Sequence, residues 1–240
     1  GEAVSATATN LTTSSTSEFS GNRGILGAGT LWFSTISTVT GSGAPGLDAW
    51  NQGEIVQVGG PSFALGPATA GSLSIVMDLR SKTADGTVDF DALHFVRNAL
   101  TVGGGANTFS LQAGDLLLST NQDETLGGLA VSQNDLIVYR PVSTSDYGSG
   151  TFFMLLDNLT NDDLKDVALV EQATTVGGVN LAAGTFLYSA LNTLDGDVFH
   201  FAPTGVGLGT TTGSSTTLLD GSDIGMTAAV RGIDIVTADM

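Results

Sequence analysis

Residues 113–171 read AGDLLLSTNQDETLGGLAVSQNDLIVYRPVSTSDYGSGTFFMLLDNLTNDDLKDVALVE. They contain four short apolar runs, Leu116–Thr120, Leu136–Arg140, Thr151–Asp157 and Val167–Glu171, bounded by Gly, Pro, Asn, Asp or Ser. Apolar runs of that length between turn-forming residues read as strands rather than helices. The same order of features occurs once before this stretch and once after it. Ala28-Gly29, Ala113-Gly114 and Ala183-Gly184 each lead into a strand that reaches Ser34, Ser119 or Ser189. A second strand follows an acid (Glu54, Asp135, Asp197) and ends near a proline (Pro61, Pro141, Pro203). A third runs from Gly71, Gly150 or Gly213 to Asp78, Asp157 or Asp220, and a fourth run closes each copy at Ala92–Val96, Val167–Val170 or Ile233–Val236. Segments 97–112 and 172–182, each with Val-Gly-Gly followed by Asn, read as connectors between copies. Loops of unequal length on a constant strand frame are what a repeat architecture permits.

The expected fold is therefore all-β, with three four-stranded antiparallel repeats in a β-propeller-like arrangement. The copies span about 28–96, 113–171 and 183–236 within one domain over 28–240. Residues 1–27 precede it as an N-terminal strand and a polar linker. Closed propellers usually need at least four blades, so a β-sandwich or an open stack of sheets is the alternative. In the central copy Leu117, Val138, Phe153, Leu155 and Ala168 are expected to be buried.

Composition narrows the function. The chain has 240 residues, 41% of them hydrophobic, with mean hydropathy +0.24, enough to build a core. Seven Lys plus Arg against 24 Asp plus Glu give a net charge of −17. Nucleic acid is a poor partner for such a surface, since no basic stripe can neutralise phosphates, and an anionic membrane repels it. No apolar run has the length of a membrane span. The absence of cysteine leaves neither a disulfide frame nor a thiolate metal site.

Residues Asp220, Gly221, Ser222, Asp223, Ile224 and Gly225 form an Asp-Gly-Ser-Asp-Ile-Gly turn. Asp91-Ala92-Leu93 and Asp115 with Leu116–Thr120 form two further signatures. Over roughly residues 85–240 this set resembles tandem β-repeat units of large secreted and cell-surface bacterial proteins, which have Asp-Gly-Ser-Asp-Val/Ile-Gly turns. The resemblance implies a β-propeller-like array and an extracellular or cell-surface location in a bacterium; no reaction attaches to it.

No catalytic constellation is expected, so the chain reads as a non-enzyme. His94 and His200 alternate with strand residues and read as structural, and no Ser/His/Asp signature or phosphate loop is present. Asn10-Leu-Thr and Asn158-Leu-Thr match the glycosylation acceptor pattern and read as unmodified in a bacterial protein. The acids crowd the loops on one end of a strand meander, which predicts one strongly negative end. Calcium takes six to eight oxygens from Asp-rich turns of this kind. Candidate ligands are Asp220 with Asp223, the group Asp162, Asp163 and Asp166, and Asp85 with Asp89; the competing reading is solvated charge and Asx-turn chemistry.

Three functions follow as expectations. The first is a structural module that self-associates into an oligomer or fibre through sheet edges. Its assembly strand is the alternating segment Glu2, Ala3, Val4, Ser5, Ala6, Thr7, Ala8 and Thr9, which resembles KDVALVEQATT. The second is a glycan- or protein-binding adhesion module with Trp32, Trp50 or Tyr147 as the aromatic anchor. The third is a hydrolase or lyase using paired carboxylates.

Overall fold

The computed structural model describes residues 8–10, 15–17, 31–35, 37–64, 66–67, 70–83, 86–191, 196–226, 228 and 230–235. They fall in two compact units, residues 1–81 and 82–240. Both are built from antiparallel strands; among the described residues the helical segments are two 3-10 turns, Arg80–Lys82 and Ser222–Ile224. The all-β reading holds.

In the first unit β1 (Ala8–Asn10) pairs with β2 (Ser15–Ser17) as a hairpin. A three-stranded sheet follows, β3 (Leu31–Phe33), β4 (Glu54–Ala64) and β5 (Ala70–Asp78), in that spatial order. The polar linker expected within residues 1–27 thus holds a strand, β2.

In the second unit the strands are β6 (Phe90–Phe95), β7 (Leu100–Gly104), β8 (Asn107–Leu111), β9 (Leu116–Thr120), β10 (Glu124–Leu126), β11 (Leu129–Val131), β12 (Leu136–Ser143) and β13 (Asp146–Leu156). They continue with β14 (Leu164–Leu169), β15 (Thr174–Val176), β16 (Val179–Leu181), β17 (Phe186–Ala190), β18 (Val198–Gly205) and β19 (Thr212–Leu219). Two four-stranded sheets result, β6-β9-β12-β13 and β14-β17-β18-β19, each a simple meander in sequence order.

This grouping shifts the expected repeat by one strand. The fourth run of the central copy, Val167–Val170, opens the second sheet instead of closing the first. The reason lies in the segments read as connectors. Residues 97–112 and 172–182 fold into the hairpins β7–β8 and β15–β16, separate two-stranded sheets that come in the chain between the first and second strands of each four-stranded sheet. In β15–β16 the turn is Gly177-Gly178, both at positive φ (57° and 86°). A two-residue turn of that hand matches strand twist, and two glycines adopt it at little steric cost. Gly127-Gly128 does the same between β10 and β11. These loops carry their own strands, so the chain re-enters the same sheet after them.

The repeated proline and glycine also find their reason. Pro141 faces Gly150 and Pro203 faces Gly213 across their strand pairs. A Cβ at Gly150 would sit 2.6 Å from the Tyr139 ring, and one at Gly213 would sit 2.7 Å from the Phe201 ring. In both sheets an aromatic two residues before the proline lies over the glycine, which leaves no room for a side chain.

The period-two pattern sorts the second sheet into two faces. Val167, Leu169, Phe186, Tyr188 and Phe201 face the first sheet and pack with Ala92, Leu117, Leu136, Val138 and Leu155. Ala168, Val170, Leu187 and Val198 occupy the opposite face, where they pack with Val230, Ile233 and Ile235. Of the five positions expected to be buried, Leu117, Val138, Leu155 and Ala168 are fully enclosed. Phe153 is half-buried against the core, and Ala168 belongs to the second sheet.

Candidate functional site

Four-residue turns deliver the chain into successive strands, and in them the acids do structural work. Asp115 accepts the Gln112 amide at 2.8 Å, Asp135 the Ser132 amide at 2.7 Å, and Glu54 the Asn51 amide at 2.5 Å. All three acids are buried. The carboxylate closes its own turn three residues back, which is why an acid precedes the strand. Asp115 also takes a two-pronged contact from Arg140, at 2.9 and 2.7 Å, while the guanidinium lies over the rings of Phe109 and Phe153. Asp135 receives the Asn158 amide at 2.8 Å as well, and burial raises its pKa above the usual carboxylate value despite these donors.

The candidate calcium ligands are distributed among such duties. Asp220 is exposed and accepts from the Ser222 amide (3.0 Å) and hydroxyl (2.7 Å), contacts that lower its pKa, Ser222 hydroxyl first. Asp223 lies in the 3-10 turn that follows, which Gly225 terminates at φ 76°. Asp89 accepts the amide of Phe90 at 2.7 Å. Asp163 binds Lys165, whose Nζ also lies 2.6 Å from Asp91 Oδ2. Asp162 donates its amide to Thr160, and Asp166 accepts the Ile233 amide. Asp85 lies outside the described residues. Among the described residues no three acid or histidine side chains are grouped to hold a metal ion.

The Lys165 contacts arise from the sheets themselves. Register slips once in each first strand, between Phe90 and Ala92 and between Leu164 and Asp166. Asp91 and Lys165 are therefore the extra residues of equivalent bulges. A bulge re-aims its side chain, and these two meet between the stacked sheets.

His94 Nε2 lies 3.4 Å from Glu171, which also accepts the amides of Arg97 (2.8 Å) and Asn98 (2.7 Å). Glu171 thus ties the end of the second sheet's first strand to the loop after β6. Burial opposes its charged form, but these donors, led by His94, bring its pKa below the usual carboxylate value. His200 Nε2 is buried without a hydrogen-bond partner, and burial lowers the ring's pKa.

An open depression of about 580 Å³ is lined in part by Asp123, Glu124, Asp135, Met154, Asp157 and Leu208. Its carboxylates are engaged with neighbours. Asp123 accepts from the Gln133 amide, Glu124 from the Gln122 side chain, and Asp157 from the Gly209 amide at 2.7 Å. The same β18–β19 loop bonds the first sheet a second time, through the Gly207 amide and the Leu155 carbonyl.

The aromatic candidates have internal partners too. Trp50 is buried and donates to Thr35 Oγ1 at 3.1 Å; Tyr147 is buried and donates to the Gly114 carbonyl at 2.9 Å. Trp32 is half-buried and donates to Gln57 at 3.0 Å. Asn158, at φ 54°, donates from its side chain to Asp157 at 2.7 Å. Asn10 ends β1. In the expected assembly strand Glu2–Thr7 lie outside the described residues, and Ala8 and Thr9 are in β1.

Sequence reasoning missed the arrangement at residues 230–235. Ser119 Oγ in β9 donates to the Leu164 carbonyl at 3.0 Å. Ser189 Oγ, at the same place in β17, donates to the Val230 carbonyl at 2.9 Å. Residues 230–235 therefore lie on the second sheet as β14 lies on the first. They have the place of a third sheet's opening strand, but no strand pairs with them among the described residues. The serine spacing that marked the repeat was the available signal.

Asp166 and Ser189 fasten this segment, and the first contact titrates. Burial pushes Asp166 up to about 7 from 3.8; the backbone amides of Val167, Ile233 and Gly232 oppose the rise, and Asp234 adds to it. A raised pKa in the folded state stabilises most below the unfolded value, and the gain fades as pH rises through the folded one. The stability difference between wild type and Asp166→Asn should therefore change between pH 4 and about 7, with wild type losing ground as pH rises. Urea midpoints that run parallel for the two proteins across that range would contradict it.

Comparison with family models, curated proteins and solved structures finds no match for this chain.

Proposed function

We propose that this protein is a non-enzymatic structural module of a bacterial surface or secreted assembly, and that its task is to associate with copies of itself. The observation that supports this reading is the second sheet's outer face. That face is built on the plan of the buried face between the two sheets, yet among the described residues it is covered by Leu181 and the short segment 230–235 rather than by a further sheet. In the first sheet the β7–β8 hairpin packs inward, with Val102 buried among core residues. Its counterpart β15–β16 leaves Val176 and Val179 42% and 43% exposed. Apolar surface and an open strand edge of this kind favour association. The engagement of His94, Glu171, Asp115, Arg140, Lys165 and Asp135 in structural contacts favours this role over hydrolysis. The internal bonds of Trp50 and Tyr147 favour it over stacking on a sugar.

Light scattering over a hundredfold concentration range tests the proposal. The mass should rise with concentration toward oligomers or fibres. A monomer at every concentration would end the reading.

A further inference from the structure

The chain has two lysines. Lys82 donates to the Gly148 carbonyl, whereas Lys165 is enclosed with its Nζ between two carboxyl groups. Nζ lies 2.6 Å from Asp91 Oδ2 and also binds Asp163, and all three side chains are largely shielded from water. The backbone holds each of them in place. Leu164, next to Lys165, donates its amide to the Gln133 carbonyl at 2.9 Å, and its own carbonyl accepts from Ser119. The Asp163 carbonyl accepts the Leu191 amide at 2.9 Å. Asp91 is flanked by Phe90 and Ala92, which both pair with β9. One oxygen of Asp163 is on Lys165, while Oδ1 is buried with no hydrogen-bond partner among the described residues. Such an oxygen favours the protonated acid. Burial accordingly pushes the Asp163 pKa upward, with Lys165 opposing the rise and Asp91 adding to it. An enclosed primary amine, a carboxyl group against it and a neighbouring acid that tends to hold its proton are the parts of an amide-forming site.

We propose that Lys165 Nζ condenses with the side-chain carboxyl of Asp91 to form an amide bond, with Asp163 as the assisting acid. The ion pair is the state before condensation. A carboxyl oxygen 2.6 Å from Nζ puts its carbon about 3–3.5 Å away, the range of near-attack geometry. Proton transfer from the Lys165 ammonium to the Asp91 carboxylate leaves a neutral amine and a carboxylic acid, a pair that tolerates loss of water better than two ions do. The amine lone pair adds to Asp91 Cγ while protonated Asp163 donates a hydrogen bond to the carboxyl oxygen. The C–N bond forms, the C–OH bond breaks, and the hydroxyl leaves as water with one proton from the nitrogen, relayed by Asp163. Ammonium plus carboxylate become amide plus water; nothing is oxidised or reduced, and no co-reactant enters. Arg140 on Asp115 has no such course, because a guanidinium does not give up its proton. The bond joins the first strands of the two stacked sheets and closes a loop across 74 positions of the chain, so the sheets stay tethered even where their packing is pulled apart.

Mass spectrometry of the full-length chain tests the proposal. Wild type should weigh one water less than its sequence. After tryptic digestion, peptide 83–97, which contains Asp91, should be found attached to a segment that runs uncut through Lys165. Lys165→Met should restore the full mass. Asp163→Asn keeps both the amine and the Asp91 carboxyl. Harvested at the same time as wild type, it should hold at least about tenfold less of the branched product, since a positioned acid contributes on the order of a hundredfold in rate. A wild-type chain of full mass, with separate peptides ending at Arg97 and at Lys165, overturns the proposal. So does a missing water that persists in Lys165→Met, which places the loss in a cyclised Asp-Gly such as Asp220-Gly221. Branched product at the wild-type level in Asp163→Asn overturns the role given to that acid. The wild-type peptide map decides the matter even if a variant misfolds, and self-association, read by light scattering, is unaffected by either result.

Discussion

Replacing Phe186 by Ala should destabilise the second unit by about 3–5 kcal/mol, a large share of the ~5–15 kcal/mol that holds a typical domain. Phe186 is fully buried in β17, between Leu169 and Phe201 of its own sheet, and its ring belongs to the cluster shared by both sheets. The central strands of two stacked sheets cannot close over a missing ring without shifting many neighbours, so much of the cavity should persist. The probe must be chosen by unit. Both tryptophans, Trp32 and Trp50, lie in residues 1–81, whereas Tyr139, Tyr147 and Tyr188 lie in 82–240. Near-ultraviolet tyrosine dichroism should show the loss, and tryptophan fluorescence should follow a separate transition. Val142→Ala, at an 82% exposed position, is the control and should change stability by less than ~0.5 kcal/mol. A Phe186→Ala cost as small as the control's would mean that the two sheets do not share a packed core.

Lys165→Met should cost about 3–5 kcal/mol at pH 8, and the cost should shrink as the solution is acidified. Lys165 has a side chain only 7% exposed, between Asp91 and Asp163, which are 11% and 12% exposed. Methionine retains much of the stem's packing and removes the charge, leaving two enclosed carboxylates facing each other. Burial, the largest influence on Asp163, already pushes its pKa upward, and Asp91 adds to the rise while Lys165 opposes it. Without the lysine the rise should grow, so protonation as pH falls from 8 toward 5 relieves the repulsion and recovers stability. Adding Asp163→Asn to Lys165→Met should recover part of the loss at pH 8. Urea midpoints at several pH values decide the matter. A small cost independent of pH would show that the bulge residues do not form a buried ion pair.

The strands were legible because their cause is local. Short apolar runs punctuated by turn formers mark β9, β12 and β13, whereas the β15–β16 hairpin at Gly177-Gly178 was hidden in a segment that reads as a connector. Recurrence of Ser119 and Ser189, or of Pro141 and Pro203, marks a repeat without any knowledge of what the residues touch. The phase of the repeat was not local. Val167–Val170 reads equally as the last strand of one unit or the first of the next, and hydrogen bonding to β17 rather than to β13 decides it. The acids failed for a related reason. Asp135, Asp163 and Asp166 look alike as letters in loops, but one closes a turn, one binds a lysine and one holds Ile233.

The sequence by itself determined an all-β chain, the positions of its longer strands and the recurrence of their turn residues, since these depend on side-chain periodicity and backbone preference within a few residues. Tertiary structure alone decided which strands share a sheet, which acids lose water, and that 230–235 packs on the outer face of the second sheet. Those outcomes depend on pairing between segments far apart in the chain, where period-two faces allow more than one partner and only mutual burial selects among them.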